Sequence, residues 1–174
     1  AGTYVTAASG TDGNYNLSFV DGSMVIAKAA LTATGNSASV RYNGSNQTVS
    51  GLTVAGLQGA DTLVSLSNLT SSGTTAKNAG NYVNTVTAGV ETNYTVSTVN
   101  GALEITKADA VVTARSDLGL TYNGVNQTVS GFTTTGLVGG ETAAVLTGVN
   151  ASRAEKNAGT YVTAASGTDG NYNL

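Results

Sequence analysis

The 174-residue sequence contains no histidine, cysteine, proline or tryptophan, and only 10% of its residues are charged. Each absence removes a class of chemistry. Without histidine there is no side chain whose ordinary pKa suits general acid–base work near neutral pH. Without cysteine there are no disulfides, thiolate metal sites or thiol nucleophiles, and any redox compartment is compatible. A secreted chain of this composition relies for stability on packing and sheet hydrogen bonds alone. Seven Lys and Arg stand against ten Asp and Glu, for a net charge of −3, and no two basic residues are adjacent. Nucleic-acid phosphates require clustered cations, so this excludes a nucleic-acid partner and weakens the case for an anionic membrane surface. No apolar run approaches the ~20 residues that span a bilayer, so no membrane insertion is expected. No secretory signal is visible. Ala1 lies inside a repeated segment, so any export signal is expected upstream.

What is present is Thr, Val, Ser, Asn and Gly, with 23 glycines and eight tyrosines, the composition of an all-β extracellular protein. The chain also repeats itself. Residues 1–17 (AGTYVTAASGTDGNYNL) recur letter for letter as residues 158–174. Tyr42-Asn-Gly-Ser-Asn-Gln-Thr-Val-Ser-Gly51 matches Tyr122-Asn-Gly-Val-Asn-Gln-Thr-Val-Ser-Gly131. Lys77-Asn-Ala-Gly-Asn-Tyr-Val83 matches Lys156-Asn-Ala-Gly-Thr-Tyr-Val162, and Ile26-Ala-Lys-Ala29 matches Ile105-Thr-Lys-Ala108. A period of about 80 residues is the signature of a tandem array. It predicts the C-terminal strands of one module in 1–28, a complete module in 29–107, and in 108–174 a module that lacks its last strand or two.

The local pattern is that of strands. Tyr94, Val96 and Thr98 alternate with Thr95 and Ser97, Tyr15, Leu17 and Phe19 with Asn16 and Ser18, and Leu103 and Ile105 with Glu104 and Thr106. Period-two alternation turns one set of side chains toward a core. Asn100-Gly101 and Asp21-Gly22 lie between such runs and predict tight hairpins, since both dipeptides supply positive φ angles. Further strands are expected at 30–34, 47–54, 62–67 and 81–88, and again at 110–114, 127–134, 142–147 and 160–166. Short strands punctuated by Gly and Asn, with no helical apolar stripe, predict tandem immunoglobulin-like β-sandwich modules.

Asn78-Ala-Gly-Asn-Tyr82, Asn157-Ala-Gly-Thr-Tyr161 and Ala1-Gly-Thr-Tyr4 each precede a strand. They resemble the segment entering a late strand of immunoglobulin-like domains, which implies that Tyr82 and Tyr161 are tyrosine corners whose hydroxyls bond the nearby backbone. Together with Tyr42-Asn-Gly, Tyr122-Asn-Gly and the Ile-Thr-Lys-Ala ending, they make the whole chain resemble the bacterial immunoglobulin-like YDG/MBG tandem repeat modules of large filamentous-haemagglutinin-like surface adhesins. Asn43 and Asn123 replace the usual Asp of that family, which keeps the turn and removes a carboxylate.

No catalytic, cofactor-binding or metal-binding residue is expected. Asp12-Gly-Asn14 and Asp169-Gly-Asn171 are acidic turns without the ligand series of a calcium loop. At the repeat junction only Asp109 and Glu104 could contribute carboxylates. Asp61 and Glu141 occupy equivalent positions in successive copies rather than pairing as glycosidase acids. Lys28, Lys77, Lys107 and Lys156 recur in register, but at turns and junctions suited to solvated charge, not to Lys–Asn isopeptide bonds. Asn-x-Ser/Thr triplets at Asn16, Asn43, Asn46, Asn68, Asn93, Asn126 and Asn150 are frequent by chance in so Asn- and Thr-rich a chain.

The expected function is structural: a stalk or fibre segment of a large secreted bacterial surface protein, not an enzyme. The alternative is an adhesive module that binds a glycan or host protein, and the expectation that most tyrosines are buried or half-buried at strand ends disfavours it. The expected partners are neighbouring modules or copies of the same protein. Residues 18–28 carry the segment that module 108–174 lacks, so one molecule can complete another by strand donation and build a head-to-tail polymer.

Overall fold

A computed structural model describes all residues 1–174. It is all-β, with nineteen short strands and two single 3-10 turns. The strands are β1 Gly2–Thr6, β2 Gly22–Ile26, β3 Ala29–Gly35, β4 Ala38–Arg41, β5 Gln47–Val49, β6 Leu52–Ala55, β7 Leu69–Ser71, β8 Thr74–Ala76, β9 Gly80–Asn84 and β10 Val86–Ala88. They continue as β11 Tyr94–Val99, β12 Gly101–Thr106, β13 Ala108–Asp109, β14 Val111–Ala114, β15 Gln127–Ser130, β16 Phe132–Thr135, β17 Val149–Glu155, β18 Ala165–Gly167 and β19 Tyr172–Asn173. No helix is long and apolar enough to cross a membrane.

The fold forms two compact units, each drawing on three stretches of chain. The first comprises Ala1–Asn36, Ser50–Gly73 and Asn84–Gly101. Its main sheet has the order β11-β3-β6, with β11 parallel to β3 and β6 antiparallel to it. The alternation of β3 buries Leu31 and Ala33 and leaves Ala30, Thr32 and Thr34 outside. Leu31 and Ala33 pack with Leu66, Leu69, Val86 and Tyr94. A fully buried leucine contributes about 2 kcal/mol through removal of its apolar surface from water. A short β7–β10 pair and a separate β1–β2 ribbon complete this unit.

The second unit comprises Ser37–Val49, Thr74–Val83 and Ala102–Leu174. It contains a β4-β12-β9 sheet, a β5–β8 pair, β13–β19 and β14–β16 pairs, and a β15-β17-β18 sheet. Leu103 and Ile105 of β12 join Tyr42, Val49, Ala108, Ala110, Leu146 and Tyr172 in one apolar core.

Several sequence expectations need correction. Neither predicted hairpin forms. β11 pairs with β3 and β12 with β4, each in parallel. Asn100-Gly101 has no positive φ angle. Instead the Asn100 side chain accepts the Val86 amide at 2.9 Å. A Cβ on Gly101 would lie 2.1 Å from the Asn36 carbonyl oxygen, so glycine is required by a close approach of backbones rather than by a turn. Residues 15–20 form no strand, because β2 pairs with β1 instead, Gly2 opposite Ile26 and Thr6 opposite Gly22.

The expected strands 62–67 and 142–147 are 3-10 turns at Leu63–Ser65 and Ala143–Val145. The Leu66 and Leu146 amides close them onto Leu63 and Ala143, and both leucines are buried. Three residues per turn explains why their apolar residues are spaced by three rather than two. Of 160–166 only Ala165 and Ser166, the start of β18, are strand. In the earlier copy the corresponding segment is β9, which pairs with β12. The described chain holds no equivalent of β12 beside 160–164, so the ladder that would hold a strand there has no partner.

Candidate interaction site

The repeated motifs converge in the second unit. Tyr42 follows β4, and its amide bonds the Thr106 carbonyl at the end of β12, which aims the ring inward. The phenol donates to Glu141 at 2.5 Å, and Tyr172 donates to the other oxygen of the same carboxylate at 2.6 Å. The two rings meet edge to face with centroids 5.4 Å apart. The Tyr172 hydroxyl also accepts the Val138 amide at 3.0 Å, and Lys77 lies 3.8 Å from Glu141. Both tyrosines are buried, so their hydroxyls depend on these partners.

Electrostatics follow from the geometry. Burial and the bond to Glu141 raise the Tyr42 phenol above its ordinary value. Tyr172 is raised by burial and by Glu141, against a smaller opposing effect of the Val138 amide. Burial alone would raise Glu141, but the two hydroxyl donors and Lys77 outweigh it and hold the carboxyl below its usual range. The site is thus a carboxylate clamped ionised between two neutral phenols.

Around this clamp, Asn171 accepts the Ala79 amide at 2.8 Å, and Arg41 pairs with Asp109 at 2.7 Å. Gly44 and Gly139 both have positive φ and approach so closely that a Cβ on Gly139 would sit 2.8 Å from the Asn43 carbonyl oxygen. The residues from Tyr42–Gly44 and Lys77–Ala79 therefore belong to one sequence copy, and those from Asp109, Val138–Glu141 and Asn171–Tyr172 to the next.

The first unit carries a counterpart. The Tyr94 hydroxyl donates to Asp61 at 2.5 Å and accepts the Gln58 amide at 3.0 Å. Asp61 raises the Tyr94 phenol by that hydrogen bond, partly offset by the Gln58 amide. Sequence reasoning placed Asp61 and Glu141 at equivalent positions. It missed their phenol partners, although an Asn-Tyr pair follows each acid, Tyr94 33 residues after Asp61 and Tyr172 31 residues after Glu141, and could have signalled them.

The remaining candidates are turn and corner residues. Asp12 accepts the Asn14 and Tyr15 amides, and Asp169 those of Asn171 and Tyr172, as in Asx turns. Asn43 and Asn123 brace the Ser45 and Val125 amides in the same way. The Tyr82 hydroxyl donates to the Asn78 carbonyl at 3.0 Å and that of Tyr161 to the Asn157 carbonyl at 3.2 Å, the bond expected of tyrosine corners. Lys28, Lys77, Lys107 and Lys156 are exposed. Lys28 and Lys107 cap equivalent carbonyls, those of Glu91 and Asp169, each at 2.6 Å. Glu104 lies outside the clamp and accepts the Ser39 hydroxyl. The expectation that most tyrosines are buried or half-buried needs correction. Tyr4, Tyr15, Tyr122 and Tyr161 are exposed, and only Tyr42, Tyr94, Tyr172 and the half-buried Tyr82 are not.

The comparison with protein families bears on the same motifs. Residues 31–104 match the MBG domain of the YGX type. The matched segment holds Tyr42-Asn-Gly, Asp61, Lys77-Asn-Ala-Gly and Tyr94, the residues from which these contacts are built. No curated protein and no solved structure matches the chain.

Proposed function

We propose that the chain is a run of MBG-type structural modules, 29–107 and 108–174 preceded by the last strands of another in 1–28, serving as a stalk or fibre segment of a secreted bacterial surface protein. Its work is mechanical rather than catalytic, and its partners are further copies of the module. The family match to 31–104, the recurrence of its motifs, and the all-β fold support this reading.

The assembly mechanism we infer is strand donation. The observation that carries it is the contrast between two equivalent strands. In β12, Leu103 and Ile105 are 1% and 2% exposed, whereas Met24 and Ile26 of β2 are 51% and 48% exposed. The second unit meanwhile presents two open grooves. One, of about 240 Å³, runs past Val111, Val112, Gly167 and Leu174, where β11 runs beside β3 in the earlier copy. The other, of about 270 Å³, is lined by Leu118, Leu120, Val129 and Tyr161. Leu118 and Leu120 correspond to Ala38 and Val40, which lie opposite Leu103 and Ile105 in the β4–β12 ladder. Residues 18–28 of another copy, or of a chain that continues the array, supply the matching strand. Releasing β2 costs little, since it is held only in a two-stranded ribbon, which is marginally stable by itself.

Light scattering of the chain with and without residues 1–28 tests this. The full chain is expected to polymerise as its concentration rises, and the shortened chain to stay monomeric. Monomers in both cases would refute donation between copies.

A further inference from the structure

We propose that the end of the second unit carrying Tyr122 and Lys156–Ala158 is a docking face, and that its occupant is the Asp61–Asn93–Tyr94 end of a further module. The inference rests on the modular reading above and adds the contact that would join one module to the next.

The template lies within the second unit. There Tyr42, Lys77 and Ala79 of one sequence copy hold Glu141, Asn171 and Tyr172 of the next. Every residue of the holding side recurs: Tyr122-Asn-Gly for Tyr42-Asn-Gly, and Lys156-Asn-Ala-Gly for Lys77-Asn-Ala-Gly. The second set has nothing to hold. Tyr122 is 59% exposed where Tyr42 is 3%, and Lys156, Asn157 and Ala158 are exposed.

The held side recurs as well, in the first unit. Asp61, Tyr94 and the Gln58 amide reproduce the arrangement of Glu141, Tyr172 and the Val138 amide. Asp61 there has one phenol, where Glu141 has two and a lysine. The chemistry is complementary: one end offers a carboxylate with a free acceptor and an asparagine carbonyl, the other a phenol, an ammonium and a backbone amide.

A related contact in the first unit is in line with the match. Ala1-Gly-Thr-Tyr4 is the sequence counterpart of Ala79-Gly-Asn-Tyr82 and identical to Ala158-Gly-Thr-Tyr161. Its Ala1 nitrogen, a terminal ammonium where the array would have an amide, bonds the Asn93 side-chain oxygen at the place where the Ala79 amide bonds that of Asn171. The asparagine that precedes the clamp tyrosine thus receives an Ala-Gly-x-Tyr segment in both units. Ala158-Gly-Thr-Tyr161 is the third such segment and the only one without an asparagine against it.

Three chains test the proposal: residues 1–174 alone; 1–174 continued by a second copy's residues 18–28; and 1–174 continued by a second copy's residues 18–107. The shared residues 1–17 and 158–174 make each continuation seamless. Tetranitromethane nitration, mapped by mass spectrometry, reads the exposure of each tyrosine, with the buried Tyr42 as the internal measure of folding. Tyr122 is expected to react in the first two chains and to fall to the level of Tyr42 in the third. Asp61→Ala in the second copy of the third chain is expected to restore its reaction. The proposal is overturned if Tyr122 reacts equally in all three, or if residues 18–28 alone shield it. Hydrogen exchange at the Leu118 and Leu120 amides reports separately on strand donation: slowed exchange with Tyr122 still reactive refutes the docking face while leaving the donated strand intact.

Discussion

The Tyr42 hydroxyl reaches the Glu141 carboxylate at 2.5 Å, across 99 residues of sequence and from one copy of the repeat to the next. Because Tyr172 donates to the other carboxylate oxygen, a single side chain satisfies two buried phenols. Glu141→Ala is expected to lower stability by about 2–3 kcal/mol, the cost of losing charge-assisted hydrogen bonds and leaving buried donors unpaired. Glu141→Gln keeps one carbonyl acceptor but turns an amide donor toward the second phenol, for a loss of about 1–2 kcal/mol. Urea denaturation measures both. If the alanine variant matches the parent chain, the clamp contributes nothing to the fold.

The same clamp fixes the pH dependence. Glu141 titrates below its ordinary value of 4.5 in the folded chain, so between these values the unfolded chain binds more protons than the folded one. Its contribution is present above pH 4.5 and is lost as the pH falls through the folded value. Tyr42 and Tyr172 titrate above their ordinary value of 10.0. Their contribution is complete below pH 10.0 and is lost as the pH rises through the folded values, because there the folded chain holds the protons. Thermal denaturation should therefore show a plateau flanked by two declines, and Glu141→Gln should flatten the acidic one. An unchanged acidic limb in that variant would assign the decline to other carboxylates.

Gly101 is a glycine for a reason unrelated to turns. A Cβ there would fall 2.1 Å from the Asn36 carbonyl oxygen and 2.6 Å from that of Gly35, both backbone atoms that cannot swing away. Gly101→Ala is expected to cost about 2 kcal/mol or more through forced backbone movement. Gly13 has nothing within 4 Å of an added Cβ, so Gly13→Ala serves as the control and should change stability little. Equal denaturation midpoints for the two variants would count against the close approach.

Period-two alternation revealed β11 and β12 and the side of each that faces the core, because a half-buried strand writes its orientation into every second residue. It did not reveal their partners. Asn100-Gly101 has the composition of a hairpin turn, but the parallel ladders with β3 and β4 form instead, and these pairings connect residues about 65 apart that no local pattern links. The clamp was half legible. The carboxylates at Asp61 and Glu141 were visible as equivalents, and Tyr42 as part of a motif. That they meet depends on contacts between one copy and the next, which a period counts but does not orient. The 3-10 turns were missed because Leu63 and Leu66, like Ala143 and Leu146, are spaced by three residues within segments too short for periodicity to separate from a strand.

Asn84 is the residue of the first unit that sequence gave least reason to notice. It is fully buried, and all of its hydrogen-bonding capacity is used: the amide nitrogen donates to the Asn36 and Gly51 carbonyls at 3.1 and 3.0 Å, and the oxygen accepts the Ser71 hydroxyl at 2.6 Å and the Gly73 amide at 3.0 Å. It thereby ties three loops of the unit to the end of β9. Asn84→Asp keeps the shape and the acceptors but removes both donors and brings a charge into a site without a counter-ion among these partners. Asn84→Ala removes every bond and leaves a void. Both are expected to cost about 3 kcal/mol or more, since several buried backbone groups lose their partners at once. The aspartate variant should also recover stability at acidic pH, where protonation restores one donor, whereas the alanine variant should not. Denaturation of both variants at neutral and acidic pH separates the two cases. Parallel pH responses would mean that the site is solvated and that Asn84 is not the knot described.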